Sequence, residues 1–334
     1  MGANGLEGDQ DGGWVFHRPA VGGTAMLGYR AGGAGGLDLR VTALPAVTVL
    51  IEFGENELIV DSTAGKQAFS GFVSGFPHGT MRVRTERAEC VEVRLSPLRA
   101  YSLSSIDPAA LGHTVVGLED LWGRRAVWLR ERLANAETWE ERFALTNSFL
   151  RQCAEPTRTP DPEVAAGWER IVASRGQVRV DELAEACGWS RKRLWARFEA
   201  QIGLTPKRAA MLVRFRHAVE GLLAGIPAAE VAVTCGYSDQ SHLCRDVSSF
   251  AGTTPGSLTA QPLSAVSRRR YRAWGTFFPA QRSARDGSPA DLHAARMALD
   301  TCHSRAAASG SSAYSATPLR APKTPTTASS QSSK

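Results

Sequence analysis

The sequence predicts an α+β protein in which a β-rich N-terminal domain with closing helices precedes an all-α domain and a disordered C-terminal tail. Three observations support this fold class. Runs of β-branched and apolar residues lie between Val47 and Leu95, and helical periodicity follows Pro97. A helical pattern then occurs twice, and the end of the chain is rich in Ser, Thr, Ala and Pro.

The first predicted element is a small β-sandwich or barrel. VTVLIEF (47–53) and ELIV (57–60) are apolar, and ECVEVRL (89–95) alternates apolar with charged residues at period two. Turn residues separate these segments. Two amphipathic helices, 118–134 and 138–153, are expected to close the domain, the second with Thr138 as its cap and Glu141 three residues later.

Domain boundaries follow from composition. We predict a β-rich domain over 14–153, an extended proline-containing linker over 154–163, an all-α domain over 164–262 and a disordered tail over 280–334. The overall charge is +6, and the basic excess lies in the C-terminal half. That distribution is typical of a chain in which one part faces phosphates.

Several function classes are disfavoured. No apolar run approaches the length of a membrane span, and the N-terminus does not resemble a secretory signal, so we expect a cytoplasmic protein. The 6 cysteines form no C-x-x-C pair. No catalytic constellation stands out, so we expect no enzyme activity, no metal site and no cofactor.

The repeated helical pattern is the strongest signal. Cys187-Gly188-Trp189-Ser190 matches Cys235-Gly236-Tyr237-Ser238, and G-x-T-P at 203–206 matches G-T-T-P at 252–255. The second match is displaced by one residue relative to the first. We therefore predict a one-residue insertion between Ser238 and Leu243.

Each repeat reads as helix, turn, helix. In the first repeat, Gly188 is predicted to end the first helix, and Ser190 is predicted to cap the second helix. The second helix covers about 191–201 and places Leu194 and Phe198 toward the core. Its outward residues are Arg191, Lys192, Arg193, Trp195 and Arg197. In the second repeat, Gly236 is predicted to end the first helix. The second helix covers about 239–250, and either Ser238 or Asp239 is its cap. Its outward residues are Gln240, Ser241, Cys244 and Arg245.

These features favour two helix-turn-helix units joined by one connecting helix over 206–225. A recognition helix contacts base edges with its N-terminal residues, and its first turn attracts phosphate. Gln can pair with adenine and Arg with guanine. The sequence therefore predicts a sequence-specific DNA-binding transcription regulator.

Residues 165–260 resemble the DNA-binding region of the AraC/XylS family of bacterial regulators, most specifically in G-Y-S-D-Q-S-H-L followed by G-T-T-P. The resemblance implies DNA contacts at Lys192, Trp195 and Ala196 in the first unit, and at Gln240, Ser241, Cys244 and Arg245 in the second. With Ser190, Arg191, Arg193, Arg197 and Ser238 these make up the predicted DNA-binding set. Two departures are Ala196, where the family commonly has Arg, and Val247-Ser248, where it has Phe-Lys.

The resemblance also implies an N-terminal domain for sensing or dimerisation. The expected partners are double-stranded promoter DNA, RNA polymerase, a small-molecule effector and a second copy of the chain, with transcription activation as the expected outcome. Two alternatives stay open at this stage. Trp195 either contacts DNA or packs beside the connecting helix, and the protein could instead be a non-specific DNA-binding or protein-binding regulator that has lost its effector response.

Overall fold

The structure, a computed structural model, describes residues 9–260 apart from 12, 20–24, 32–35, 63–64, 77–80, 104 and 113. The predicted tail, 280–334, and the last two residues of the predicted all-α domain lie outside the described residues. No helix in the described part of the chain is long and apolar enough to cross a membrane.

The described part of the N-terminal half forms two antiparallel sheets. Their strands are β1 (Asp9–Asp11), β2 (Trp14–His17), β3 (Ala25–Ala31), β4 (Leu37–Val41), β5 (Val47–Glu52), β6 (Leu58–Ser62), β7 (Gly65–Phe69), β8 (Gly71–Ser74), β9 (Met81–Thr85), β10 (Glu89–Leu95) and β11 (Val115–Gly117). The larger sheet has the order β1-β2-β3-β10-β5-β8-β11, and the smaller sheet has the order β4-β9-β6-β7. The two sheets share a buried apolar layer that includes Tyr29, Leu39, Phe72 and Val83.

The larger sheet is covered on both faces. Along β5, Val49 and Ile51 pack toward the helices, whereas Leu50 packs toward the smaller sheet. Because side chains alternate across a strand, burial of both faces explains why the sequence of β5 is almost continuously apolar. The predicted strands at 47–53, 57–60 and 89–95 are confirmed within a residue or two.

Two charged residues in the middle of β10 are buried rather than exposed. Glu92 and Arg94 have 1% and 3% of their side chains exposed, and Arg94 Nε donates to Glu92 Oε1 at 2.9 Å. Burying either charge alone would carry a large desolvation cost, so each side chain needs the other. The period-two pattern of β10 arises because one buried face of the strand is apolar and the other carries the Glu92–Arg94 pair.

Helices close the sheet in a way that partly contradicts the prediction. They are α1 (Pro97–Tyr101), a 3₁₀ turn (Ala110–Gly112), α2 (Leu118–Trp122), α3 (Arg124–Asn135) and α4 (Trp139–Gln152). The single helix expected over 118–134 was wrong, because Gly123 adopts φ 52° and ψ −135° and separates α2 from α3. Only glycine tolerates such a conformation easily. The cap at Thr138 is confirmed, since its side chain accepts from the backbone N–H of Glu141.

The remaining helices form the all-α part. They are α5 (Pro162–Ala173), α6 (Val180–Cys187), α7 (Arg191–Ile202), α8 (Pro206–Leu223), α9 (Ala228–Thr234), α10 (Gln240–Ala251) and α11 (Pro255–Ala260). Their apolar side chains continue the core cluster that begins between the larger sheet and α2–α4.

Two halves of the described chain contact each other directly. The backbone N–H of Ala43 donates to the carbonyl of Phe250 at 3.3 Å, and the N–H of Glu155 donates to the carbonyl of Ser102 at 2.9 Å. Gly203, at the end of α7, lies against the backbone of Pro108 so closely that an added Cβ would come within 2.2 Å of the Pro108 oxygen. The segment between α4 and α5 is therefore held against the N-terminal half rather than free of it.

Candidate nucleic-acid interface

The first helix-turn-helix unit consists of α6 and α7. Gly188 ends α6 in the left-handed conformation with φ 64°, and the N–H of Trp189 bonds back to the carbonyl of Ala184 at 3.1 Å. Ser190 then caps α7 by accepting a hydrogen bond from the N–H of Arg193. The helix end at Gly188 and the N-cap at Ser190, both predicted from the sequence, are confirmed.

The second unit, α9 and α10, repeats this plan with a turn that is one residue longer. Gly236 has φ 73°, and the N–H of Tyr237 bonds to the carbonyl of Ala232 at 2.9 Å. The cap is Asp239, whose Oδ1 accepts from the N–H of His242 at 2.6 Å. The choice left open between Ser238 and Asp239 is therefore decided for Asp239, and the inserted residue lies in the turn before the helix.

Equivalent side chains hold both recognition helices to the core. Leu194 and Phe198 of α7 have no exposed surface, and neither do Leu243 and Val247 of α10. The helix α8 joins the two units over 18 residues, which corresponds to a rise of about 27 Å. Because α8 packs against both recognition helices, the two units form one rigid frame.

The predicted DNA-binding residues of the first unit all lie on the surface. Exposed residues are Ser190, Arg191, Lys192, Arg193, Trp195, Ala196 and Arg197, and Trp195 is 41% exposed. Three of the arginines have protein partners. Arg191 pairs with Asp181 at 2.7 Å, and the guanidinium of Arg193 stacks over Trp189 at 4.5 Å.

Arg197 differs from its neighbours because it faces the segment before α5. Its Nε and Nη2 donate to the two carboxylate oxygens of Asp161 at 2.7 and 2.8 Å. This hydrogen bonding lowers the pKa of Asp161 and raises the pKa of Arg197. Arg197 thus reaches solvent from the same helix as Lys192, but its charge is already neutralised.

In the second unit the predicted residues fall into two groups. Ser238, Gln240, Ser241 and Arg245 are exposed, whereas Cys244 is half-buried. The Nε of Arg245 donates to the carbonyl of Ser241 at 3.4 Å on the same face. The structure brings Gln240, Ser241 and Arg245 together at the N-terminal half of α10, where a recognition helix reads bases.

Sequence reasoning missed a polar cluster behind α10. Arg214 of α8 donates through Nη2 to Asp246 at 3.2 Å, approaches His242 at 3.4 Å and stacks over Tyr237 at 4.5 Å. Asp246 is 4% exposed. Burial also raises the pKa of Tyr237, and the hydrogen bond from the His242 N–H lowers the pKa of Asp239. The four-residue spacing of His242 and Asp246 was the available signal, since it places the two on one face of α10.

A helix-turn-helix domain family matches residues 183–261 of this chain. These residues are an AraC-type helix-turn-helix domain. The match begins inside α6 and extends past α11, so the AraC-type domain includes both recognition helices and the whole of α8. The motif G-Y-S-D-Q-S-H-L lies at the turn and the first helical turn of its second unit.

Individual relatives and solved structures resemble parts of this chain. YbfI of Bacillus subtilis (strain 168), described as an uncharacterized HTH-type transcriptional regulator, is 35% identical over 66 residues, which is 20% of this chain. The alignment spans about a quarter of that relative, 24% of its length. Among solved structures, ToxT from Vibrio cholerae is 11% identical, with 67% of this chain and 97% of that chain covered and a TM-score of 0.41. The C-terminal domain of AraT, a response regulator from Geobacillus stearothermophilus, is 20% identical, with 32% and 90% covered and a TM-score of 0.30.

Within the described residues, no group of three or more His, Cys, Asp or Glu side chains is arranged to hold a metal ion. His242 and Cys244, which are two positions apart, lie on different sides of α10: the imidazole faces Arg214, and the thiol is half-buried on the neighbouring side.

Proposed function

We propose that this chain is a sequence-specific DNA-binding transcription regulator that inserts α7 and α10 into successive major grooves of promoter DNA. One observation carries the proposal: two N-capped helices with exposed polar first turns are attached to the same connecting helix. Successive major grooves on one face of DNA lie about 34 Å apart, a separation that a helix of about 27 Å and its flanking units can bridge.

The two recognition helices offer different chemistry to DNA. The first presents Lys192 and Arg193 near its N-terminus, where unpaired amides and the helix dipole also favour phosphate. The second presents Gln240 and Arg245, whose side chains suit adenine and guanine edges. We therefore expect the second unit to contribute more base discrimination and the first to contribute more phosphate affinity.

The N-terminal domain would modulate this binding by dimerisation or by a small-molecule effector, in a cytoplasmic protein that acts with RNA polymerase as an activator. Trp128 on α3 supports an interface, because 49% of it is exposed and Arg132 stacks on its ring. Catalysis has no part in the proposed function.

The competing candidate is a regulator that binds DNA without sequence preference or binds protein instead. The observation that favours protein binding is that Arg191 and Arg197 already pair with Asp181 and Asp161, which reduces the positive charge that α7 can offer to phosphates. Such a protein would show either a steep salt dependence without sequence preference or no DNA binding.

Selection of duplexes from a random DNA pool tests the proposal. We expect the wild-type protein to enrich a motif with two blocks about one helical turn apart. The double variant Gln240→Ala, Arg245→Ala should lose the second block and keep the first. A matched control, Gln67→Ala with Arg40→Ala, removes exposed side chains of the same types from the smaller sheet and should enrich the wild-type motif. No enrichment by the wild-type protein at low salt would refute sequence-specific binding.

A further inference from the structure

His242 occupies the first turn of the second recognition helix, and both nitrogens of its ring have partners. Its Nδ1 lies 3.3 Å from Ser238 Oγ, and its Nε2 lies 3.4 Å from Arg214 Nη2. Ser238 Oγ in turn donates to Asp239 Oδ2 at 3.2 Å. The imidazole therefore connects the cap of α10 with the connecting helix α8.

These three contacts agree with one protonation state of the ring. The hydroxyl of Ser238 has a single proton, which it donates to the carboxylate of Asp239, so Ser238 can only accept from Nδ1. Arg214 can only donate, so Nε2 must accept. The ring that satisfies both partners is neutral and carries its proton on Nδ1.

Arg214 extends this connection along the helix. The same Nη2 that approaches His242 also donates to Asp246 at 3.2 Å, one turn further along α10. The side chains of Arg214 and Asp246 are 15% and 6% exposed, so the pair lies largely outside solvent. Two successive turns of α10 are thereby attached to one guanidinium on α8, which opposes rotation of α10 about its own axis.

The first unit has no equivalent of this cluster. At the position that corresponds to His242, Arg193 stacks on Trp189, and at the position that corresponds to Asp246, Arg197 bonds to Asp161 outside the connecting helix. Both units keep an aromatic residue after the turn glycine in contact with the third residue of the recognition helix. The attachment through a neutral imidazole is specific to the second unit.

We propose that His242, held in its neutral form between Ser238 and Arg214, is a positioning residue that sets the rotation of α10 and so the base preference of the second half-site. This inference rests on the proposed function, because it assumes that α10 reads DNA. His242 itself faces the protein and contacts no base. It acts through Gln240, Ser241 and Arg245, the exposed residues of the same helix.

A second proton on the ring would break this arrangement, because it could only occupy Nε2, where it would face the guanidinium of Arg214 and turn an acceptor into a second donor of like charge. The other charged groups beside the ring are Asp239, whose Oδ1 accepts from the His242 N–H, and Asp246, which shares Arg214. Tyr237 packs edge-on against the ring at 5.0 Å. The neutral ring is therefore the form that fits between Ser238 and Arg214.

Binding of the full chain to the selected duplex at pH 7.5 and constant salt tests the inference. Two further duplexes carry a scrambled first or second block, and the ratio of the Kd for each scrambled duplex to the Kd for the selected duplex gives the discrimination at that half-site. Wild type, His242→Ala and His242→Gln are compared. The Gln side chain is neutral and offers an amide oxygen to Arg214. His217→Gln is the matched control, because His217 lies on α8 and pairs with Glu220 rather than with α10.

We expect His242→Ala to lower discrimination at the second half-site roughly fivefold or more, the size of one good base contact, and to leave discrimination at the first half-site unchanged. His242→Gln should restore intermediate or full discrimination at the second half-site. Long-range ¹H–¹⁵N NMR of the imidazole should identify the Nδ1-protonated ring at pH 7.5.

Specific binding with unchanged second-half discrimination in His242→Ala would overturn this inference alone and leave the proposed function intact. So would an Nε2-protonated ring, or an equal loss of discrimination at both half-sites in His242→Ala. Absence of sequence-specific binding by the wild-type protein at pH 7.5 would overturn both. Thermal unfolding of each variant separates loss of discrimination from loss of folding.

Discussion

Arg197 and Asp161 join the first recognition helix to the residue that precedes α5. The guanidinium donates to both carboxylate oxygens, at 2.7 and 2.8 Å, and the N–H of Asp161 also donates to Gln201 at 2.8 Å on the same helix. One residue of the interdomain segment thus binds two successive turns of α7. Both recognition helices pack against α8, but the polar side chains that hold the first one come from this segment, whereas those that hold the second one come from α8.

We predict that Asp161→Asn lowers the free energy of unfolding by about 1 kcal/mol or less at pH 7, as expected for a partly exposed ion pair with paired hydrogen bonds. Because Arg197 lowers the pKa of Asp161 below 3.8, this stabilisation is present above pH 4 and is lost as the pH falls through the lowered value. Urea unfolding at pH 7 and pH 3 measures both values. Asp61→Asn, whose carboxylate is 3.8 Å from Arg84, is the control and should change stability less.

We predict that Gly203→Ala destabilises the protein much more than Gly188→Ala. Both glycines have positive φ, 82° and 64°, so each substitution carries a conformational cost of roughly 1 kcal/mol. At Gly203 the new Cβ would also meet the Pro108 oxygen at 2.2 Å, whereas at Gly188 nothing lies within 4 Å. Thermal unfolding compares the two variants. Equal losses of stability would mean that the contact with Pro108 is not maintained in solution.

We predict that stability falls as the pH rises from about 4.5 to 7 because of Glu52. Burial raises the pKa of this carboxyl from 4.5 to about 7, since the charged form is desolvated. Between these two pH values the folded state binds more protons than the unfolded state. The stability that the protonated Glu52 allows is therefore fully present below pH 4.5 and is lost as the pH approaches 7. A shift of this size corresponds to about 3 kcal/mol.

Glu52→Gln tests this pH dependence. The variant keeps the side-chain volume and an oxygen for the N–H groups of Gly54 and Glu89, which bond to Glu52 at 2.8 and 3.2 Å. We expect its unfolding free energy to change by less than that of the wild type between pH 5 and pH 7. Glu86→Gln, on the surface, should reproduce the wild-type profile.

We predict that Trp128→Ala shifts the chain from dimer to monomer in sedimentation at micromolar concentration while each chain stays folded. The side chain is 49% exposed, so its removal leaves little cavity, and an exposed tryptophan is a favourable interface anchor. Ile226→Ala, an exposed apolar change at 38% exposure in the second unit, is the control. A wild-type protein that sediments as a monomer would contradict the predicted dimer.

The two helix-turn-helix units could be predicted from the sequence because their determinants are local. A turn glycine, a capping residue and apolar side chains four residues apart specify helix, stop and helix within about 25 residues. The same reasoning failed at Gly123, where it expected one helix. Gly123 is compatible with a helix interior in principle, and only the packing of Trp122 and Ala126 into the core makes the break favourable.

The strands before Val47 were not predicted, because their sequence is rich in glycine and their pairing is not local. Strand β3 is a strand because it pairs with β10, where Gly28 lies opposite Val91. An added Cβ at Gly28 would come within 2.3 Å of the Trp139 ring, so this glycine serves close packing with α4. Neither the strand partner nor the helix partner can be inferred from residues 25–31 alone.

The sequence by itself determined the repeated units, their caps and turn glycines, and the outward position of most predicted DNA-binding residues. Tertiary structure alone decided the partners of the charged side chains. Arg197 bonds to Asp161, Arg94 to Glu92, and Arg214 to Asp246 and His242, across separations from two to 36 residues. Helix geometry propagates through neighbouring residues, so it is encoded locally. Ion pairs depend on which surfaces the whole fold brings together and removes from water.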